Sequence, residues 1–200
     1  RKSLLYDKAG DYHYDTISAF IKSIRGSDPD AAIYWLARMI EAGEDSLFIA
    51  RRLIILAAED IGMADPYALS IAVATQHAVH FIGMPEAQIP LAEATIYLST
   101  APKSNSAYVA ISTARQDAIS SRNDPVPLHL RNAVTDLMKK LDYGKEYKYA
   151  HDYKGSFTPM ENLPKSVSGR RYYKPKDQGY EQEVTKRLHQ WWGKKRSDDK

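Results

Sequence analysis

A chain of 200 residues with 44% hydrophobic content can bury the core of one domain and still carry an appended tail. It has no cysteine, which excludes disulfides, thiolate metal sites and cysteine nucleophiles, and fits a reducing compartment such as the cytoplasm. The net charge of +3 hides a division: residues 1–142 hold 14 Lys/Arg against 17 Asp/Glu, while residues 143–200 hold 14 against 8 and also seven of the 14 tyrosines.

The chain opens on RKSLLYDKAGDYHY, with no initiating methionine and no signal-peptide core, and no apolar run reaches the ~18 residues of a membrane helix. The expectation is a piece of something longer that enters no membrane. Ile17, Phe20, Ile21 and Ile24 then recur at three- and four-residue spacing against a polar face of Ser18, Lys22 and Ser23, which predicts a surface helix. Asp28-Pro29 supplies a cap acceptor and a first-turn proline for a second helix, which Gly43 closes. Asp45 opens a third and Gly62 closes it. From Leu47 to Ala58 apolar side chains cover nearly the whole circumference, an area that water penalises by roughly 25 cal/mol per Å², so this helix is expected at the centre.

Asp65-Pro66 repeats the opening signal for a fourth helix over 66–81, and the short connections favour antiparallel neighbours. Further helices are expected over 90–99, over 105–121 with Ser104 as N-cap, and over 133–141. Pro90 marks the start of the first of these, because an interior proline loses a hydrogen bond. Residues 145–176, with Gly155, Pro159, Pro164, Gly169 and Pro175 among tyrosines, read as an extended segment held over the body by its rings. A last helix over 177–193 sets Tyr180, Val184, Leu188, Trp191 and Trp192 on one face. The fold class is therefore all-α, an antiparallel helical bundle with an irregular Tyr/Pro/Gly-rich segment and a C-terminal helix.

No catalytic set accompanies these helices. A phosphate-binding loop needs glycines whose N–H groups cradle the anion, followed by Lys and Ser/Thr, and no GxxxxGK[ST] occurs. His77 and His80 form an HxxH pair that could share a metal only with a further ligand, and none lies nearby in sequence, so a simple histidine pair is the better reading. Glu59-Asp60 point about 100° apart on a helix, which suits a structural ion pair to Arg38, Arg51 or Arg52 better than paired acid–base work.

Three polar stretches carry a functional alternative beside the plain one. TAPKSNSAY (100–108) presents Lys103 and Asn105 at a helix N-terminus, where free N–H groups favour an anion. VPLHLRNA (126–133) adds His129, Arg131 and Asn132. Both stretches suit loop and capping chemistry, or else contact with a subunit or a phosphate backbone. YGKEYKYAHDY (143–153) interleaves Lys145, Lys148 and His151 with rings, as single-strand binders do, and equally suits a segment docked by its tyrosines.

The blocks YDKAGDYHYDTISAFIKSIRGSDPDAAIYWLARMIEAGED, ARRLIILAAEDIGMADPYAL, TAPKSNSAY, VPLHLRNA and GKEYKYAHDY, in this order between about residues 5 and 190, resemble the C-terminal portion of the replication-associated recombination protein A family (RarA, also called MgsA). These are AAA+ ATPases related to clamp loaders; the stretch after Asp152 matches more loosely. The resemblance implies a bundle like a clamp-loader collar. Residues 1–14 would be the linker from a missing N-terminal ATPase core, 15–142 a helical oligomerisation domain, and 143–200 a basic, aromatic-rich extension whose terminal helix packs on the body. It implies a non-catalytic part that holds subunits in a homotetramer, with ATP and magnesium bound by the missing core and no cofactor in this chain. The implied partners are further copies of itself, single-stranded or forked DNA, and replication proteins, in the cytoplasm at the nucleoid. The alternative is a DNA-binding helical module built on 143–200. Tyr34, Trp35, Met39 and Phe48, apolar or aromatic groups outside the stripes, are the candidate subunit contacts. Lys103, Asn105, His129, Arg131, Asn132, Lys145, Lys148 and His151 are candidates for subunit or DNA contact.

Overall fold

The structure, a computed structural model, describes residues 11–193. Most of the expected linker over 1–14, and the run after Gly193, lie outside the described residues. Among the described residues there are eight α-helices and no strand: α1 (Asp11–Arg25), α2 (Pro29–Glu41), α3 (Ser46–Leu56), α4 (Tyr67–Ile82), α5 (Gln88–Thr100), α6 (Ser106–Ser120), α7 (Asp136–Lys140) and α8 (Glu181–Trp192). The all-α expectation holds. The chain divides into two compact units, residues 1–108 with 175–182, and residues 109–174 with 183–200, so that the division falls within α6 and within α8.

The first unit contains the hydrophobic core. The capping chemistry read from the sequence sets its early helices: Asp28 accepts from the Ala31 N–H at 2.9 Å and Asp45 from the Leu47 N–H at 3.0 Å. Gly43 takes φ 75° behind α2, the left-handed conformation that costs a glycine little. Asp65 accepts from the Tyr67 N–H at 3.0 Å, where α4 begins. Ile17, Phe20 and Ile24 of α1 face inward as their spacing requires.

The expected central helix is a different one. α3 buries a single face, Ile49, Ala50, Leu53 and Leu56, and leaves Ile55 exposed. α5 is the helix that packs against four others, α1, α2, α3 and α4, burying Leu91, Ala94, Thr95, Leu98 and Ser99 and leaving the stripe of Ile89, Glu93, Ile96 and Thr100 exposed. Its small side chains let four helices approach. Its two buried hydroxyls are satisfied within the helix, Thr95 donating to the Leu91 carbonyl and Ser99 to the Thr95 carbonyl, both at 2.7 Å. α5 also starts two residues before Pro90, because a proline in the first turn removes an N–H that has no intrahelical partner.

α3 does not stop at Leu56. It passes into a π-helical turn, Ala57–Ile61, and a 3-10 turn, Gly62–Ala64.

The second unit is built otherwise. Val167, 8% exposed, is its one buried side chain among the described residues. α7 is shorter than expected, starting where Thr135 accepts from the Met138 N–H at 3.2 Å. The Pro- and Gly-rich segment is tied down by polar bonds: the Tyr172 hydroxyl donates to Asp117 at 3.0 Å, Arg170 pairs with the same carboxylate at 3.3 Å, and the Ser166 hydroxyl donates to Asp124. Phe157 packs against both Trp191 and Trp192, with ring centres 6.0 and 5.2 Å apart.

Candidate functional site

Polar side chains of the first unit converge where the π turn meets the loop between α5 and α6. Extending α3 by a π turn carries Asp60 beneath the end of α1, where Arg25 donates to it through Nε at 2.7 Å and a terminal nitrogen at 3.2 Å. The pairing expected for Glu59-Asp60 is therefore corrected. Arg38, Arg51 and Arg52 are not the partners; Arg51 lies 3.7 Å from Asp45. The Asp60 backbone carbonyl accepts from the Ser104 N–H at 2.7 Å, which fastens the loop to the turn.

Lys103 is half-buried. Its ammonium donates to the carbonyls of Ser99 (2.9 Å) and Ala101 (2.6 Å) and to the Ser27 hydroxyl (3.1 Å), capping the end of α5. Burial lowers its pKa, with Asp60 opposing the shift. Lys103 thus takes part in the loop and capping chemistry that is one of the two readings of this stretch. Asn105 beside it is half-buried.

The least expected group is Glu181, 0% exposed at the start of α8. Its carboxylate accepts from the hydroxyls of Ser104 (2.6 Å) and Ser106, and from the Lys176 N–H at 3.0 Å. Ser104 in turn accepts from the Ser106 N–H at 3.3 Å, the capping role read from the sequence. Alongside, the Tyr180 N–H donates to the Ala64 carbonyl at 2.8 Å. Gly179 has φ 50°, and a Cβ there would overlap that carbonyl and come within 2.7 Å of Pro102 Cγ. Residues 176–181 are thereby sewn onto the first unit. The local sequence signal for this was slight: a Ser-x-Ser pair and a glycine before a helix, 75 positions apart.

Tyr97 of α5 donates to Asp65 at 2.5 Å, and this bond, with burial adding to it, pushes the phenol up to about 12.

Of the candidate subunit contacts, Met39 is 1% exposed within the core cluster and has no surface to offer a second copy. Tyr34 is exposed and meets Trp35 edge-on at 5.2 Å. Phe48 is half-buried between His13 and the Arg51 guanidinium. His77 and His80 are exposed on α4, and among the described residues no three His, Cys, Asp or Glu gather to hold a metal.

In the second unit, His129 and Arg131 line a cavity of about 660 Å³ with Val126, Leu128, Leu163 and Pro164. Both are engaged locally: His129 Nε2 lies 3.3 Å from Asn162 Oδ1, and Arg131 donates to the Val126 carbonyl at 2.6 Å while covering the Tyr143 ring. Asn132, Lys145, Lys148 and His151 are exposed. Lys145 pairs with Asp142 at 3.2 Å.

Residues 26–192 match the family described as MgsA AAA+ ATPase C terminal, and residues 1–25 match the AAA C-terminal domain. The chain belongs to the MgsA AAA+ ATPase C-terminal family. It is 46% identical over 184 residues to replication-associated recombination protein A of Coxiella burnetii, covering 92% of this chain and 42% of that protein. The protein of the same name from Haemophilus influenzae is 48% identical, with 92% and 41% covered. The likeness extends to the ATPase WRNIP1 of Dictyostelium discoideum, 43% identical over 88% of this chain and 20% of that one. The chain thus spans less than half the length of these relatives. Among its described residues no helix is long and apolar enough to cross a membrane.

Proposed function

We propose that this member of the MgsA C-terminal family is a non-catalytic assembly domain, which holds ATPase subunits together as a homotetramer. The observation that supports it is the second unit's lack of a core. Val134 and Leu137 are 77% and 67% exposed and Ile111, Ile119 and Leu141 are exposed as well, while among the unit's described residues Val167 alone is buried. At about 25 cal/mol per Å² of apolar surface, such a set is better accommodated against another copy than in water. In this reading, ATP and magnesium belong to the part of the relatives that the chain does not span. The assembled protein acts on DNA and replication proteins in the cytoplasm, at the nucleoid.

The test is absolute molar mass by light scattering across a wide concentration range. A species of about four times the 22.6 kDa chain is expected, and Leu137→Asp should dissociate it. A strictly monomeric chain at high concentration would refute the assembly reading.

A second reading, contact with DNA through residues 143–200, is favoured by their charge of 14 Lys/Arg against 8 Asp/Glu. It requires affinity that falls steeply with salt.

A further inference from the structure

The second unit treats its tyrosines in two ways. Tyr143 lies under the Arg131 guanidinium, 5.0 Å from its ring centre, and Tyr172 is bonded to Asp117, so these rings have structural employment. Tyr147 and Tyr153 make no ring contact among the described residues, and Tyr149 meets only the neighbouring His151. These three are 53%, 42% and 55% exposed in that order, their hydroxyls make no hydrogen bond among the described residues, and Tyr147 and Tyr149 precede the 3-10 turn Ala150–Asp152 that Tyr153 directly follows. The exposed His151 ring lies 5.1 Å from that of Tyr149. Lys148 and Lys154 are exposed between and beside these rings, and neither makes an ion pair among the described residues. From Tyr147 to Lys154 the strip holds Lys148 and Lys154 against Asp152 alone, while Lys145 before it is paired with Asp142.

We propose that the strip from Tyr147 to Lys154 is a stacking rail for single-stranded nucleic acid. Unpaired bases would lie on the rings of Tyr147, Tyr149 and Tyr153, and Lys148 and Lys154 would meet the phosphates. A duplex hides its base faces in its own stack, so the rings have nothing to hold on it. An apolar peptide would use the rings and leave two ammonium groups without a purpose. The rail rests on the reading of 143–200 as a nucleic-acid face and narrows it to single strands and to named rings. The sugar is not distinguished by stacking or by phosphate contact, so DNA and RNA share the recognised chemistry.

The test is equilibrium binding, by fluorescence anisotropy, of oligothymidylate and oligouridylate of about 16 nucleotides and of a duplex of equal length, at about 50 mM salt and upwards. The single strands should bind more tightly than the duplex. Replacing the three tyrosines together (Y147A, Y149A and Y153A) should weaken single-strand binding about tenfold or more with its salt dependence unchanged. The three Tyr→Phe changes, which keep the rings, should leave it within about twofold. Lys148→Ala with Lys154→Ala should flatten the slope of log K against log salt by about 1.4. Preference for one of the two oligomers would identify which polymer uses the rail. If the alanine variant bound single strands like the unaltered chain while the lysine variant bound them weakly, the rail would be overturned and the nucleic-acid face would stand. If the unaltered chain bound no strand at low salt, both would fall.

Discussion

Arg25 and Asp60, 35 positions apart, are joined by two hydrogen bonds that fix the last turn of α1 to the π turn ending α3. The carboxylate is buried and the guanidinium half-exposed, so the pair contributes less than a fully desolvated one would. Asp60→Ala is expected to lower stability by about 1–2 kcal/mol, read as a shift of the urea midpoint with unchanged slope. Asp60→Asn should recover part of that loss by keeping one acceptor. Equal midpoints for all three proteins would show that the pair is only tolerated.

Glu181 makes a sharper prediction, since its removal orphans donors in the interior. Glu181→Ala leaves the Ser104 and Ser106 hydroxyls and the Lys176 N–H without their acceptor, at an expected cost of about 2–4 kcal/mol. Restoring balance by also replacing both serines with alanine should recover part of the loss. Thermal unfolding of the single and triple variants checks this, and a triple variant no better than the single one would contradict it.

At Gly179 the backbone itself carries the prediction. Its φ of 50° and the nearby Ala64 carbonyl leave no room for a Cβ, so Gly179→Ala should destabilise by about 2 kcal/mol or more. Gly43→Ala is the control, because it shares a positive φ but meets nothing within 4 Å; it should cost only about 1 kcal/mol. Limited proteolysis near residues 175–182 should accelerate in the first variant and not in the second.

The bond from Tyr97 to Asp65 sets a pH dependence whose sign is fixed. The folded phenol titrates at about 12, above its ordinary value of 10.0, so folding favours the protonated form. Its stabilisation is fully present below pH 10 and disappears as the pH rises through 12. Tyr97→Phe should therefore be less stable than the unaltered chain at pH 8, with the difference closing above pH 10. In an absorbance titration the variant should lack the tyrosinate that forms last. A difference that stays constant up to pH 12 would disprove the coupling.

What the sequence disclosed and what it withheld follow from distance along the chain. Asp28, Gly43, Asp45 and Asp65 act on N–H groups two or three residues away or on their own φ, so their roles are written locally. The partner of Asp60 is 35 positions distant and the serine partners of Glu181 at least 75, and local pattern holds no record of either. Periodicity also says which face of a helix is apolar, without saying how many helices surround it. That is why α3, apolar over most of its circumference, looked central, while α5, whose apolar face is diluted by Thr95 and Ser99, occupies the middle. The same ambiguity grouped Met39 with Tyr34, although one is core and the other exposed.

That contrast between core and surface separates stability from assembly. Met39→Ala removes a packed side chain from the first unit and should cost about 2–5 kcal/mol of stability. Leu137→Asp exchanges a side chain that is already 67% exposed, so the single chain should lose no more than about 0.5 kcal/mol. If the second unit's aliphatic side chains meet another copy, the ranking reverses in a sedimentation experiment. Leu137→Asp should shift the mass toward the single chain, because it would place a charge in an apolar contact. Met39→Ala should leave the mass unchanged at temperatures where it is still folded. Dissociation by Met39→Ala alone would place the subunit contact on the first unit instead.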